Sequence, residues 1–279
     1  MKRIPVRLII GCLLIIIFWY LNWSLEGLRT HWGFFPLWLG FSLAIDGLVF
    51  LRKGSSLFSR NKFAYIGLFI VSMPVWWFFE LFNQLTENWT YVGREYFTDL
   101  EYFFLASLSF STVVPAVFGS AEFVSTFLKK KDYKLTISET SKTGVVFILI
   151  GLLMLILLIL FPKVFYVFVW TTVFFFVEGF NILLGNRSIV SKVSEGNWKP
   201  VFSLWIGCLI CGFFWEMWNY YSYPKWIYDV PGVNFLHVFE MPLLGYLGYI
   251  PFSLELYSIY NLLLRLFGKE RSQKDYLDF

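Results

Sequence analysis

Long apolar runs are the feature that most restricts this chain. Several reach about 20 residues, the length that crosses a bilayer core. Backbone polar groups in lipid must be satisfied internally, so such runs are helices or closed barrels. Alternation at period two is absent, which argues against a barrel. Only 15% of the 279 residues are charged, against roughly 25% in soluble domains. The expected class is an all-α integral membrane protein.

Eight spans are expected, at about 8–25, 34–52, 63–86, 100–128, 143–162, 164–185, 200–222 and 235–267. Nineteen of the 23 Lys and Arg then fall on one side of the membrane, leaving Arg29, Arg94, Lys163 and Lys225 on the other. The basic side is the cytoplasmic one. This predicts a multi-pass protein of the cell inner membrane with both termini in the cytoplasm. The basic head and apolar stretch at the start resemble a signal peptide. No small-residue cleavage site follows, so an uncleaved first helix is expected. The net charge of +4 is explained by these topology signals, and no stretch looks like a nucleic-acid arm.

The two halves resemble each other. "FSLAIDGLVFLRKGSSLFSR" aligns with "TVFFFVEGFNILLGNRSIVSK", setting Asp46 against Glu178 and Ser56 against Ser188. "WWFFELFN" aligns with "GFFWEMWN" 136 positions later, and Pro115 with Pro251. Two parallel four-helix repeats are expected, since an even number of spans returns the chain to its starting side. Residues 1–128 form the first and 143–267 the second. A basic cytoplasmic linker, 129–142, joins them, and 268–279 is a cytoplasmic tail.

Carboxyls within the spans are the main chemical signal. Each costs at least ~2.5 to 3.5 kcal/mol at the bilayer centre on insertion scales. Almost no Lys or Arg lies inside the spans, so protonation, a bound cation or a wet cavity is expected. Glu80/Asn83, Glu178/Asn181 and Glu216/Asn219 share the spacing E-x-x-N, which places both side chains on one helix face. Such pairs also serve as glue between helices. The topology predicts one cluster near the outer face, with Glu80, Asn83, Glu101, Glu216, Asn219, His237 and Glu240. A second, inner cluster would hold Asp46, Glu178, Asn181 and Glu255, with Glu122 nearby. No metal site and no cofactor is expected: two histidines are too few for a zinc site. Cys12, Cys208 and Cys211 lie in apolar segments and read as packing residues.

The outer loops 86–97 and 222–235 are rich in Trp and Tyr, as a headgroup belt would be. Pro242, Gly245, Gly248 and Pro251 mark a broken segment in the last span.

The stretch "KWIYDVPGVNFLHVFEMPLLGYLGYIPFSLELY" (225–257) resembles the membrane lycopene cyclase domain of bacteria, archaea and fungi. Trp226, Tyr228, Glu240, Pro242, Pro251 and Glu255 follow a similar order. An adjacent Glu–Glu pair is missing, the Pro follows the Glu, and the repeat has four helices rather than three. The resemblance implies proton donation to an alkene in a dry pocket, with aromatic faces steadying the cation and a second carboxylate as base. Glu216 and Glu240 would be acid and base, with Glu80 as a further candidate. Trp215, Trp218 and Tyr220 would be wall residues.

Three functions stay open. The first is binding or transformation of a lipophilic partner, a membrane lipid or isoprenoid, by acid/base chemistry of buried Glu residues. The second is a proton- or cation-coupled transporter using both clusters. The third is a structural or assembly role. Nucleotide and nucleophile-elbow motifs are absent.

Overall fold

The computed structural model describes residues 4–129, 133–269 and 276–279. Lys2, Arg3, Lys130, Lys131, Arg271 and Lys274, part of the basic pattern above, lie outside the described residues.

The chain is helical, with short strands at one end. In order it forms α1 (Val6–Ser24), α2 (Thr30–Lys53), α3 (Leu57–Arg60), α4 (Lys62–Thr86), β1 (Trp89–Val92), α5 (Asp99–Phe110) and α6 (Val113–Ser125). It continues with α7 (Ser141–Leu160), α8 (Pro162–Phe165), α9 (Thr172–Leu183), α10 (Ile189–Ser194), α11 (Lys199–Tyr220), β2 (Lys225–Tyr228), β3 (His237–Val238), β4 (Met241–Pro242) and α12 (Tyr249–Leu266). Among the described residues, six helices are long and apolar enough to cross a membrane: α1, α2, α4, α5–α6 taken together, α7 and α11. The pair Pro162–Trp170 and Thr172–Leu183, bent by 45°, raises the count to seven if it is one span. The chain is therefore a membrane protein.

The segment expected to span 235–267 is different. Residues 237–242 make the small β3–β4 hairpin, and Leu243–Gly248 is a 3-10 turn. Regular helix starts only at Tyr249. Leu236 and Phe239 adopt left-handed φ values of 51° and 60°, which no helix interior tolerates.

Small residues set the helix crossings. A Cβ on Gly207 of α11 would lie 2.5 Å from the Ala121 nitrogen of α6. Beside it, buried Cys211 donates to the Ser120 hydroxyl at 3.3 Å. A Cβ on Gly11 would likewise lie 2.5 Å from the Ala44 nitrogen, so α1 and α2 also touch backbone to backbone. This is the close approach that small residues permit in lipid.

Ser72 repairs the break between α5 and α6. Its hydroxyl donates to the Phe110 carbonyl at 2.5 Å and accepts from the Val114 N–H at 3.1 Å. Irregular backbone at membrane depth needs such a partner.

The ends of α2 and α6 meet through Arg52 and Thr126, and the start of α10 meets the residues before α7 through Ser188 and Glu139, at the basic end of the bundle. The strands lie at the other. There β1 and β2 pair antiparallel, with Trp89 opposite Tyr228 and Tyr91 opposite Trp226. Two W-x-Y segments thus cross symmetrically about their central residues.

Candidate functional site: an aromatic cavity backed by two carboxyls

The ladder is fixed to the bundle by two asparagines. Asn83 accepts from the Trp89 N–H (3.1 Å) and donates to the Trp89 carbonyl (2.8 Å). Asn219 accepts from the Trp226 N–H (3.0 Å) and donates to the Trp226 carbonyl (2.7 Å). Each amide satisfies both backbone groups of one strand residue. A side chain three residues before it on the same face then meets the strand: Glu80 for Asn83, Glu216 for Asn219.

Glu80 accepts three hydrogen bonds on Oε1, from Tyr91 Oη (2.6 Å), Trp76 Nε1 (2.9 Å) and Trp89 Nε1 (3.2 Å). Glu216 is fully buried. Its Oε1 accepts from Tyr228 Oη (2.8 Å) and Tyr249 Oη (2.7 Å). Glu216 Oε2 is buried without a partner among the described residues. No Lys or Arg forms an ion pair with either carboxyl among the described residues. Burial, then the neighbouring carboxyl, pushes the phenols of Tyr91 and Tyr228 well above their usual range. Both therefore keep their protons and act as donors.

All five of these donors line a cavity of about 170 Å³. Phe34, Phe110, Trp170, Trp215, Trp226 and Phe252 complete most of its wall, with Arg94 and Lys225 also on the lining. Trp215 stacks on Tyr249 with ring centroids 5.8 Å apart. Gly212 makes room for that tyrosine: a Cβ there would lie 2.4 Å from its ring. The cavity is thus apolar, aromatic, and separated from each carboxyl by one layer of O–H and N–H donors.

The other outer-cluster residues make different contacts. Glu101 caps α5 by accepting from the Thr98 N–H at 2.9 Å, and it is exposed. His237 is exposed and bonded to Asn234 at 2.9 Å. Glu240 forms an ion pair with Lys225. Trp218 is core, packed on Trp38 and Trp19, and Tyr220 packs on Phe239 at the surface.

Of the inner residues, Glu178 and Asn181 share Ser258, while Asp46, Glu255 and Glu122 have other partners. Asp46 pairs with Arg7 (2.5 Å) and accepts from Ser56 Oγ and the Phe58 N–H, both at 2.9 Å. It therefore closes the first turn of α3. Glu178 accepts from the Ile189 and Val190 N–H groups at 2.5 and 3.0 Å, closing the first turn of α10, and from Ser258 Oγ at 2.7 Å. Asn181 joins Asn186 and the Ser258 carbonyl. Glu255 accepts from the Phe174 N–H at 3.3 Å near the start of α9. Glu122 receives both Arg60 guanidinium nitrogens, at 2.7 and 2.8 Å, and Lys53 at 2.5 Å. The expectation that cations would be missing fails for Asp46 and Glu122, because Arg7, Lys53 and Arg60 reach them from near the basic end. Orphan N–H groups at helix starts explain most of the other contacts.

The sequence reading did not single out Trp76, Trp89, Tyr91 or Tyr249. The repeated W-x-Y at 89–91 and 226–228 is the signal that would have found two of them. Among the described residues no group of three or more His, Cys, Asp or Glu is placed to hold a metal ion.

Fold and site together define a polytopic helical membrane protein with an aromatic cavity backed by buried carboxyls. Comparison with protein-family models, curated proteins and solved structures finds no match.

Proposed function

We propose that this protein takes a lipophilic molecule, a membrane lipid or isoprenoid, into the aromatic cavity and transforms it by acid/base chemistry at Glu216. The carrying observation is that Tyr228 and Tyr249 line the cavity and bond Glu216 with their hydroxyls. A proton on the carboxyl side then reaches the cavity through one phenol. Glu80 and Tyr91 form a similar pair from the other strand.

The architectural part of the proposal is eight spans in two parallel four-helix repeats, with the basic end and both termini facing the cytoplasm. Two kinds of correspondence support it. Asp46 and Glu178 cap helices through the N–H groups of Phe58 and Val190, both twelve residues later. Asn83 and Asn219 hold Trp89 and Trp226 through the same pair of bonds. Helix α12 would be the eighth span, its polar side chains Glu255, Ser258 and Asn261 all buried inside the bundle. The resemblance to the lycopene cyclase domain enters the proposal through Trp226 and Tyr228, both on the cavity wall.

A coupled transporter needs carboxyls free to load and unload along a path. Asp46 and Glu122 are held by guanidinium groups, which favours the acid/base reading.

The test compares lipid extracts, by mass spectrometry, from cells with the wild-type gene, a deletion, and Glu216→Gln. Glutamine keeps the shape and accepts the same phenols. The expected result is one lipophilic species accumulating in both altered strains, since losing a general acid or base lowers rate by about 10²–10⁴-fold. An unchanged lipid and carotenoid profile in the deletion strain rejects the proposal.

A further inference from the structure

A groove of about 440 Å³ opens at the basic end and shares no lining residue with the aromatic cavity. Arg52, Lys53, Thr126, Leu128, Lys199 and Asp278 are on its wall. They come from the end of α2, the residues after α6, the start of α11 and the segment 276–279. Three helices that belong to candidate spans therefore end around one groove. Basic pockets between span ends are where anionic lipid head groups bind.

Positive charge is in excess there. Lys53 contacts Glu122 at 2.5 Å and Asp278 at 3.0 Å, and Arg60 also holds Glu122. Arg52, Lys53, Arg60 and Lys199 thus face two carboxylates. Lys199 forms no ion pair among the described residues, and its charge acts on Asp278 together with that of Lys53 and Arg60. Arg52 donates to a neutral partner, the Thr126 hydroxyl, at 2.6 Å. Guanidinium and ammonium groups both bond well to phosphate oxygens.

These charges are open to a ligand. Arg52 is exposed, and the Lys53 and Asp278 side chains are 24% and 71% exposed. Tyr276 and Leu277 are buried and Arg60 donates to the Tyr276 carbonyl, so the segment is anchored by more than the Asp278 carboxylate. Asp278 therefore occupies an anion's place without being locked into it.

The rim points to the source of the phosphate. Phe127 is 57% exposed, and its ring centroid lies 3.6 Å from the Arg52 guanidinium carbon. Leu128 adds a second apolar side chain. A free ion gains nothing from that surface, whereas a lipid chain covers it favourably.

We propose that this groove binds the phosphate head group of a membrane lipid, with Arg52, Lys53 and Lys199 on the phosphate, Phe127 and Leu128 along the chain, and Asp278 as a built-in competitor. The inference is independent of the acid/base reading above.

The test titrates dioleoyl phosphatidic acid and dioleoylglycerol, which differ only in the phosphate, into the purified full-length protein in detergent. Binding is read by native mass spectrometry, with inorganic phosphate as competitor. Phosphatidic acid is expected to bind at least about tenfold tighter than dioleoylglycerol, since each cation near an anionic lipid contributes about fivefold. Arg52→Gln with Lys199→Gln is expected to remove that advantage and leave dioleoylglycerol unchanged. Asp278→Asn is expected to tighten phosphatidic acid by about fivefold. Lys163→Gln removes a cation at the opposite end, beside Thr86 and Glu87, and is expected to change nothing.

Equal wild-type affinity for the two lipids overturns the proposal. A phosphatidic acid advantage that survives the double variant, or falls as far in Lys163→Gln, overturns the placement. Displacement of the lipid by an equal concentration of inorganic phosphate overturns the lipid source and assigns a free anion. Weaker binding in Asp278→Asn overturns the competitor role. Arg52 and Lys199 stand outside the Glu122 ion pairs, and the wild-type comparison with Asp278→Asn decides the question even if the double variant does not fold.

Discussion

Tyr91 and Tyr228 stand on the two paired strands of one ladder yet donate to different carboxyls, Glu80 at 2.6 Å and Glu216 at 2.8 Å. The ladder therefore ties two transmembrane helices, α4 and α11, into one unit. The aromatic cavity forms against it. Its wall exists only while both strands are held in place.

The asparagines should consequently matter to stability. Asn219→Ala removes two hydrogen bonds to Trp226 and leaves a partly buried N–H and carbonyl behind. A loss of about 1–3 kcal/mol is expected, read from thermal unfolding in detergent. Asn83→Ala should cost a similar amount. The double variant should lose less than the sum, because either change frees the same ladder. Strict additivity would show that the strands are held independently.

Gly212 and Tyr249 should be coupled. Gly212→Ala forces a Cβ into the Tyr249 ring, for a cost of about 1–3 kcal/mol as overpacking. Under the repeat alignment Gly212 corresponds to Trp76 and Tyr249 to Val113. Gly212→Trp alone should fail to fold, and Tyr249→Val in the same chain should recover a folded protein. Recovery is measured as monodisperse elution and a cooperative melt. Without recovery, the proposed correspondence between the halves is wrong at this site.

Arg60→Ala strips both guanidinium contacts from Glu122, a carboxylate that is 1% exposed. Breaking a buried pair from one side costs about 3–5 kcal/mol, and no more than the lower figure is expected because Arg60 retains 18% exposure and Lys53 still pairs with Glu122. Glu122→Gln removes the charge that needs compensation and should be milder. Comparing the two melts checks the order.

The basic end should respond to acid. Tyr276 and Leu277 are buried there, Arg60 donates to the Tyr276 carbonyl, and Lys53 pairs with Asp278 at 3.0 Å. Burial pulls the Asp278 carboxyl up, but hydrogen bonding and charge from Lys53, with Arg60 and Lys199, outweigh it and leave the carboxyl below its usual value. A lowered folded pKa stabilises docking above the unfolded pKa of about 3.9 and loses that contribution as pH falls through the folded value. Hydrogen exchange at residues 277–279 should therefore be slow at pH 7 and faster below pH ~4, after correction for intrinsic rates. Asp278→Asn should weaken the change.

The membrane class was legible because runs of apolar residues in the helices need no partner to declare themselves. The carboxyls were legible for the opposite reason: Glu80, Glu178 and Glu216 interrupt those runs. Their partners were not. Tyr91 and Tyr228 lie in loops, where aromatic residues have a ready explanation in the headgroup belt. Arg7, Lys53 and Arg60 look like topology signals, and only the fold shows them reaching Asp46 and Glu122. The last segment was expected to start at 235 because 235–248 is as apolar as a helix, whereas regular helix starts at Tyr249. Pro242, Gly245 and Gly248 marked the break, but hydropathy does not register backbone geometry.

Trp76 donates to Glu80, whereas Gly212 leaves room for Tyr249, which donates to Glu216, so the two carboxyls have different neighbours. An indole N–H gives a hydrogen bond but cannot accept one, whereas a phenol does both. Glu80 has one hydroxylic neighbour, Tyr91, and two indoles, so it is a dead end with a single door. Glu216 is bonded by two phenols, one from a strand and one from a helix, and both line the cavity. On the proposed acid/base reading, a proton can enter Glu216 from the cavity through one phenol and leave through the other, whereas Glu80 has one such contact among the described residues.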